Sequence, residues 1–265
     1  MKMTDDYRCV VGLVVPTLGL RPGFLVESVQ SIRSGRLNGR VFVVLVAPAD
    51  VEVGRRVDEA IDLRVLDPGR GLAHAINTGI AAMPVEVEYV SWLGDDDRLV
   101  PGSVDLVVNE LERTGAAAVY GQCRYIDNSG DEIWLNRSGR WASSLMLFGP
   151  QLVPQPGSLV RRSDFAAIGG LNVNFKWAFD LEMFLQLRRR SGGLRFLPIP
   201  LAEFRWHEGS LSVGGRRGSV TEASNIRRRH LKVPLRQLSV LWEPALKRLI
   251  LWAGVRMNRR LSTRH

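Results

Sequence analysis

Short apolar runs alternate along this chain with amphipathic stretches. Val10 to Val15 is almost wholly apolar and stops at Pro16-Thr17, the pattern of a strand buried on both faces. Leu25, Val29 and Ile32 recur at helical spacing and predict a helix over 24–32. Val41 to Val46 reads as a second buried strand stopped by Pro48, and Leu63 to Leu66 as a short third. After the loop Pro68-Gly69-Arg70-Gly71, a helix runs through Ala73, Ile76, Asn77 and Ile80 and ends at Pro84. Tyr89 to Leu93 is a fourth strand and feeds Gly94 and three consecutive carboxylates, Asp95-Asp96-Asp97.

The second half continues with a helix over Ser103 to Arg113, its face set by Val104, Val107, Val108 and Leu111, and a strand at Ala117 to Tyr120. Asp127-Asn128-Ser129-Gly130 is a hairpin turn between Cys123–Ile126 and Glu132–Trp134. The loop Gln155-Pro156-Gly157 leads into a strand, and Ser163 to Leu171 reads as a capped short helix closed by glycine. Leu181, Phe184, Leu185 and Leu187 form the buried side of a helix begun near Asp180, and a strand lies around Leu194 to Pro198. This order predicts an α/β fold: a mostly parallel central sheet with flanking helices, and ligands at the carboxyl ends of the strands. Pro16-Thr17, Ala47-Pro48 and the acidic run all lie at such ends.

Charge divides the chain. The net charge is +9 over 265 residues, yet from Ile226 onward there are eleven cations and one acid, Glu243, so the rest is close to neutral. We therefore expect a domain over 1–225 and a basic helical tail over 226–265. In the tail Pro234 can open a helix, Leu235, Leu238, Leu241 and Trp242 share a face, and Pro244 kinks or restarts it. Leu246, Leu249, Ile250 and Trp252 extend the apolar side, flanked by Lys247, Arg248, Arg256, Arg259 and Arg260. Such a helix either packs on the domain or lies on an anionic membrane surface. The tail lacks the aromatic-basic interleaving of a stacking platform, so nucleic acid is not the expected partner. Cys9 and Cys123 have no metal-like spacing, and no segment reads as a signal peptide or span. The expected location is cytoplasmic, including peripheral attachment to the inner membrane face.

Three features carry candidate chemistry. The acidic run is a hard anionic site for a divalent cation with a diphosphate, or a solvated turn with one Asp capping the next helix. Asp180 is a general base at the sheet's ligand edge, or an N-cap. His207 is a metal ligand or a packed side chain.

In this order the motifs resemble the family 2 inverting glycosyltransferases, of GT-A fold, over Val10 to Ser212. The likeness is carried by Pro16-Thr17, the Gly71–Gly79 helix, Trp92–Asp97, Tyr120-Gly121 and Ile126-Asp127, then by the Pro156 loop, Gly169-Gly170-Leu171, Asp180-Leu181-Glu182 and Arg205-Trp206-His207. It implies a metal-dependent enzyme that moves a sugar from a nucleotide-sugar donor to the hydroxyl of a saccharide or lipid-linked acceptor, in cell-surface polysaccharide or glycolipid synthesis. It implies Asp180 as catalytic base, Asp96 and His207 as ligands of Mg²⁺ or Mn²⁺, and donor contacts from Pro16, Thr17, Arg70, Asn77, Asp95 and Asp97. Two positions depart from the pattern. Gly94 stands where many members have the motif's first Asp, for which Asp95 or Asp97 substitutes. Ala47 stands near a base-contacting Asp, for which Asp50 or Asp67 substitutes. These departures motivate the alternative of a nucleotide-sugar-binding protein without catalysis.

Overall fold

The computed structural model describes residues 11–34, 41–190, 192–207, 209–210 and 215–262. Cys9, Val10, Ser212 and Arg264 lie outside them, as do the side chains of Arg259 and Arg260.

The first half builds a parallel sheet. Strands β1 (Val11–Pro16), β2 (Val41–Ala47), β3 (Leu63–Leu66) and β4 (Tyr89–Trp92) stand in the order β3-β2-β1-β4. The sheet grows outward from β1 in both directions, so a crevice opens between the ends of β1 and β4, where topology reverses. Both faces are covered, as the continuous apolar runs require. Val14, Val44 and Val46 face α3 (Leu72–Ala81). Leu13, Val15, Val43 and Leu45 face α1 (Pro22–Arg33). Gly79 lets α3 lie close on the sheet: a Cβ there would sit 2.7 Å from Val14 and 2.9 Å from Val46. A single turn, α2 (Arg55–Asp58), lies between β2 and β3 and has no apolar repeat to announce it.

The second half makes the sheet mixed. Its strands are β5 (Arg98–Leu99), β6 (Ala118–Ile126), β7 (Glu132–Asn136), β8 (Leu159–Arg161) and β9 (Leu194–Arg205). The order continues β4-β8-β6-β9-β5, with β7 paired to β6; β8 and β7 run antiparallel to their neighbours, while β6 and β9 are parallel. The parallel arrangement expected for most of the sheet is found in β1 to β4 and in the β6–β9 pair. β9 outruns the expected stop at Pro198. Pro198 and Pro200 remove two ladder donors, and the β6–β9 register shifts on either side of Gln122 instead of ending. The longer strand carries Arg205 and His207 back to the crevice.

The helices of this half are α4 (Ser103–Thr114), α5 (Ala142–Leu145), α6 (Arg162–Ala167), α7 (Phe179–Leu187), α8 (Arg216–His230) and α9 (Val233–Ser262). The cap expected at Ser163 is not made: α6 starts after Arg161 with no side-chain cap, and Gly169 and Gly170 close it at φ 81° and 74°. The boundary expected at 225/226 falls inside α8, which runs unbroken across it. Arg227 of α8 is fully buried and donates to both carboxylate oxygens of Glu243 on α9, at 2.8 and 3.0 Å. Among the described residues no helix is long and apolar enough to cross a membrane.

Candidate active site at the β1–β4 crevice

The acidic run is a tight turn at the end of β4. The Asp97 amide donates to the Gly94 carbonyl at 3.1 Å, and the Ser28 hydroxyl holds the same carbonyl at 2.9 Å. A Cβ at position 94 would meet Asp96 Oδ1 at 2.8 Å and Asp97 Oδ2 at 2.9 Å. Gly94 is therefore the residue that lets the run fold back on itself, and a further carboxylate there would crowd two others. The helix-cap reading of the run fails: β5 intervenes, and the cap position of α4 is Gly102.

The three carboxylates have separate surroundings. Thr17, just past β1, donates its hydroxyl to Asp95 Oδ2 at 2.6 Å and accepts the Gly19 amide at 3.0 Å. Burial raises the Asp95 pKa, against the Thr17 bond that lowers it. Asp96 Oδ2 lies 2.8 Å from His207 Nε2. Arg21 joins them: its Nη1 is 3.1 Å from Asp96 Oδ2 and 2.7 Å from His207 Nε2, and its Nη2 is 3.9 Å from Asp95 Oδ1. Asp97, expected among the donor contacts, turns inward instead. It is buried and accepts the Arg205 amide at 3.0 Å, and burial, then the Asp96 charge, push its carboxyl well above the usual range.

Arg205 fixes this turn from behind. Its side chain is 1% exposed, which demands a partner for every donor. Nε donates to the Asp96 carbonyl, Nη1 to the carbonyls of Asp127 and Asn128, and Nη2 to Glu27 Oε2 at 2.6 Å. Its guanidinium lies 4.1 Å from the Phe24 ring centre. One side chain thus ties the acidic turn, the β6–β7 hairpin and α1 together.

Asp180 enters from the other wall. Phe179 packs on Trp92 at the end of β4, with ring centres 5.9 Å apart, which sets the start of α7 beside the acidic turn. Asp180 is not the cap. The backbone amides of Lys176, Trp177 and Ala178 all donate to Glu222 of α8, at 2.7–2.8 Å. Asp180 instead accepts Gln151 Nε2 at 2.7 Å and the Leu181 amide at 2.8 Å. Burial raises its pKa to about 6 in spite of those bonds. The Tyr125 hydroxyl registers both carboxylate regions: burial chiefly raises its pKa, and Cys123, Asp97 and Asp180 add to the rise.

Of the remaining expected residues, Pro16 is buried at the end of β1. Asn77 is occupied: its Nδ2 donates to the Leu171 carbonyl and its Oδ1 accepts the Leu171 amide, at 2.8 and 2.9 Å. It ties α3 to the Gly169-Gly170 loop rather than presenting its amide to a ligand. Arg70 is exposed on its loop. Asp67 follows β3 beside Ala47, donating its amide to the Ala47 carbonyl and capping the Gly69 amide; Asp50 is exposed. Sequence reasoning missed Arg21, Gln151, Glu222 and Glu27. Each sits outside any apolar repeat, and only the folded chain brings it to a carboxylate or a guanidinium.

A carboxylate oxygen and an imidazole nitrogen 2.8 Å apart, with a second carboxylate beside them, are an oxygen-nitrogen donor set suited to Mn²⁺ or Mg²⁺. Among the described residues no three His, Cys, Asp or Glu side chains converge as a complete metal cage. The Asp96–His207 pair, with Arg21 Nη1 within 3.1 Å of both its atoms, would supply only part of an ion's ligands.

Residues 21–168 match the family described as Glycosyl transferase family 2. The match spans more than half of the chain, which belongs to that family. No curated protein sequence matches it. Among solved structures, S. aureus TarS residues 1–349 in complex with UDP-GlcNAc superposes with a TM-score of 0.64 at 11% identity, covering 86% of this chain and 70% of that one. The mannosyltransferase PcManGT from Pyrobaculum calidifontis, in complex with GDP-Man and Mn²⁺, gives 0.60 at 18% identity, covering 97% and 75%. At these identities the likeness is one of architecture, the GT-A fold.

Proposed function

We propose that the chain is an inverting glycosyltransferase that moves a sugar from a nucleoside-diphosphate sugar to an acceptor hydroxyl. The observation that carries the reading is Asp180. A carboxyl raised to about 6, aimed by Gln151 and set beside the acidic turn, is poised to gain a proton near neutral pH. In the reaction the acceptor O–H gives its proton to Asp180 as its oxygen bonds to the anomeric carbon. The carbon–oxygen bond to the diphosphate breaks from the opposite face, and the electron pair leaves with the diphosphate.

Thr17 and Asp95 border the donor, and Arg21 faces the charge that develops on its diphosphate. Asp96 and His207 would hold Mg²⁺ or Mn²⁺, which when bound neutralises leaving-group charge. Asp97 and Asn77 position backbone. Arg70, exposed on its loop, is a further candidate for donor phosphate. A UDP- or GDP-linked hexose is the donor class, by analogy with UDP-GlcNAc on TarS and GDP-Man on PcManGT. The acceptor is a saccharide or lipid-linked sugar of surface polysaccharide or glycolipid assembly. Of the two departures that motivate the non-catalytic alternative, Gly94 and Ala47, the first has a steric reason.

A thermal-shift panel of nucleotide-sugars with Mn²⁺ tests the reading. At least one donor should raise the melting temperature, and Asp96→Ala should remove the Mn²⁺-dependent part of the rise. A panel without any shift would count against it.

A further inference from the structure

α9 is apolar on two sides. One side packs inward: Ser239, Glu243 and Gly254 are buried, and Trp242, Leu246 and Ile250 are partly buried. The other side faces solvent. Leu238, Leu241, Ala245, Leu249 and Trp252 follow one another at spacings of 3, 4, 4 and 3 residues, which puts them in one line along the helix. Leu241 is 74% exposed and Trp252 57%. Packing on the domain accounts for the first side and leaves the second without a partner among the described residues.

The line continues onto neighbouring surface. Phe148 meets Trp242 with ring centres 6.3 Å apart, and Trp141, Leu145 and Phe148 are themselves exposed. At the start of α9 a groove of about 380 Å³ is floored by Leu147, Leu185 and Leu235 and rimmed by Arg188 and Lys232. Cations accompany the apolar line: Arg248 beside it is exposed, and Arg256 at its end lies 5.4 Å from the Trp252 ring centre. The one acid beyond Glu222, Glu243, is buried against Arg227. The outward face of α9 is therefore apolar along its middle, with cations beside and at the end of the line, and free of carboxylates among the described residues.

We propose that this face, α9 with residues 141–148, lies in the plane of an anionic phospholipid surface. Apolar side chains enter the acyl boundary while Arg and Lys reach phosphate oxygens, and the two contributions add. The helix lies on the membrane, since it is not apolar enough to cross it. Gln151, three residues past Phe148, holds Asp180, so docking would bring the chain segment that leads to the proposed base close to the lipid. That last consequence rests on the proposed glycosyl transfer; the docking does not.

Co-sedimentation of the full chain with vesicles tests the docking without donor or turnover. Phosphatidylglycerol–phosphatidylcholine vesicles should retain the protein, and phosphatidylcholine alone should retain much less, with salt releasing it. Leu241→Glu with Trp252→Glu alters only outward side chains and should weaken binding by more than about tenfold, with an unchanged melting temperature. Arg248→Glu with Arg256→Glu should remove the preference for anionic vesicles. Equal retention of the wild type and both variants, or no retention of the wild type, would overturn the proposal. So would a dimer in light scattering that the Leu241→Glu, Trp252→Glu variant dissolves, which would show a second copy as the occupant.

Discussion

The crevice and the tail are both strongly charged, but they treat charge in opposite ways. At the crevice each carboxylate meets a named group: Asp95 meets Thr17, Asp96 meets His207 and Arg21, Asp97 meets the Arg205 amide, and Asp180 meets Gln151. Behind them Arg205 binds three segments through its side chain. In the tail one cation, Arg227, is buried and answered by Glu243, while Arg236 and Arg248 face outward. Charges answered inside the fold are held in position for chemistry or packing. Charges left outside are available to a partner.

The contrast can be broken at its buried points first. Glu243→Ala would leave Arg227 buried without its carboxylate, and loss of one partner of a buried pair costs about 3–5 kcal/mol. Burial works against the Glu243 charge, yet the Arg227 and Ser224 bonds hold its pKa below the usual range. Chemical denaturation should show the loss, while Arg248→Ala on the outward face should change stability by less than about 0.5 kcal/mol.

Next in size is the crevice. Asp96→Ala should lower turnover about 10²- to 10³-fold in a coupled nucleotide-release assay, because charge on the leaving diphosphate loses its counter-group. The same change should leave vesicle binding alone, since it touches the other region.

The pH dependence follows from Asp180, with opposite signs for activity and stability. A base must be ionised, so turnover should fall about tenfold per pH unit below about 6. Stability runs the other way. A carboxyl whose pKa rises on folding from 3.8 to about 6 binds its proton more tightly in the folded chain, so this group withdraws stability as pH rises across that window. The smallest effect belongs to Gln151→Ala. Its amide favours the ionised form, so its loss should move the acidic limb of the rate profile to higher pH by up to about one unit.

Much of the frame is legible in the sequence because buried strands and amphipathic helices leave periodic traces. Leu63–Leu66 and the helix at Ser103 are read nearly to the residue. The extension of β9 past two prolines is not, since propensity argues against it and only pairing with β6 sustains it. In the site, Asp95, Asp96 and His207 meet around Arg21 and Asp180 opens the helix packed on Trp92, whereas the inward turn of Asp97 and the use of Asn77 by Leu171 depend on long-range hydrogen bonds. Arg21 illustrates the limit: a lone cation before Pro22 has no pattern, and its role appears only when β4 and β9 bring Asp96 and His207 to it.

The central claim is that Asp180 is the base of a sugar transfer whose donor lies across the acidic turn. Asp180→Asn keeps the shape and removes the proton acceptor. Measured on a donor found by the thermal-shift panel, this variant should bind as tightly as the wild type and, with acceptor present, release nucleoside diphosphate about 10²- to 10⁴-fold more slowly. Release at the wild-type rate with donor bound would contradict the account.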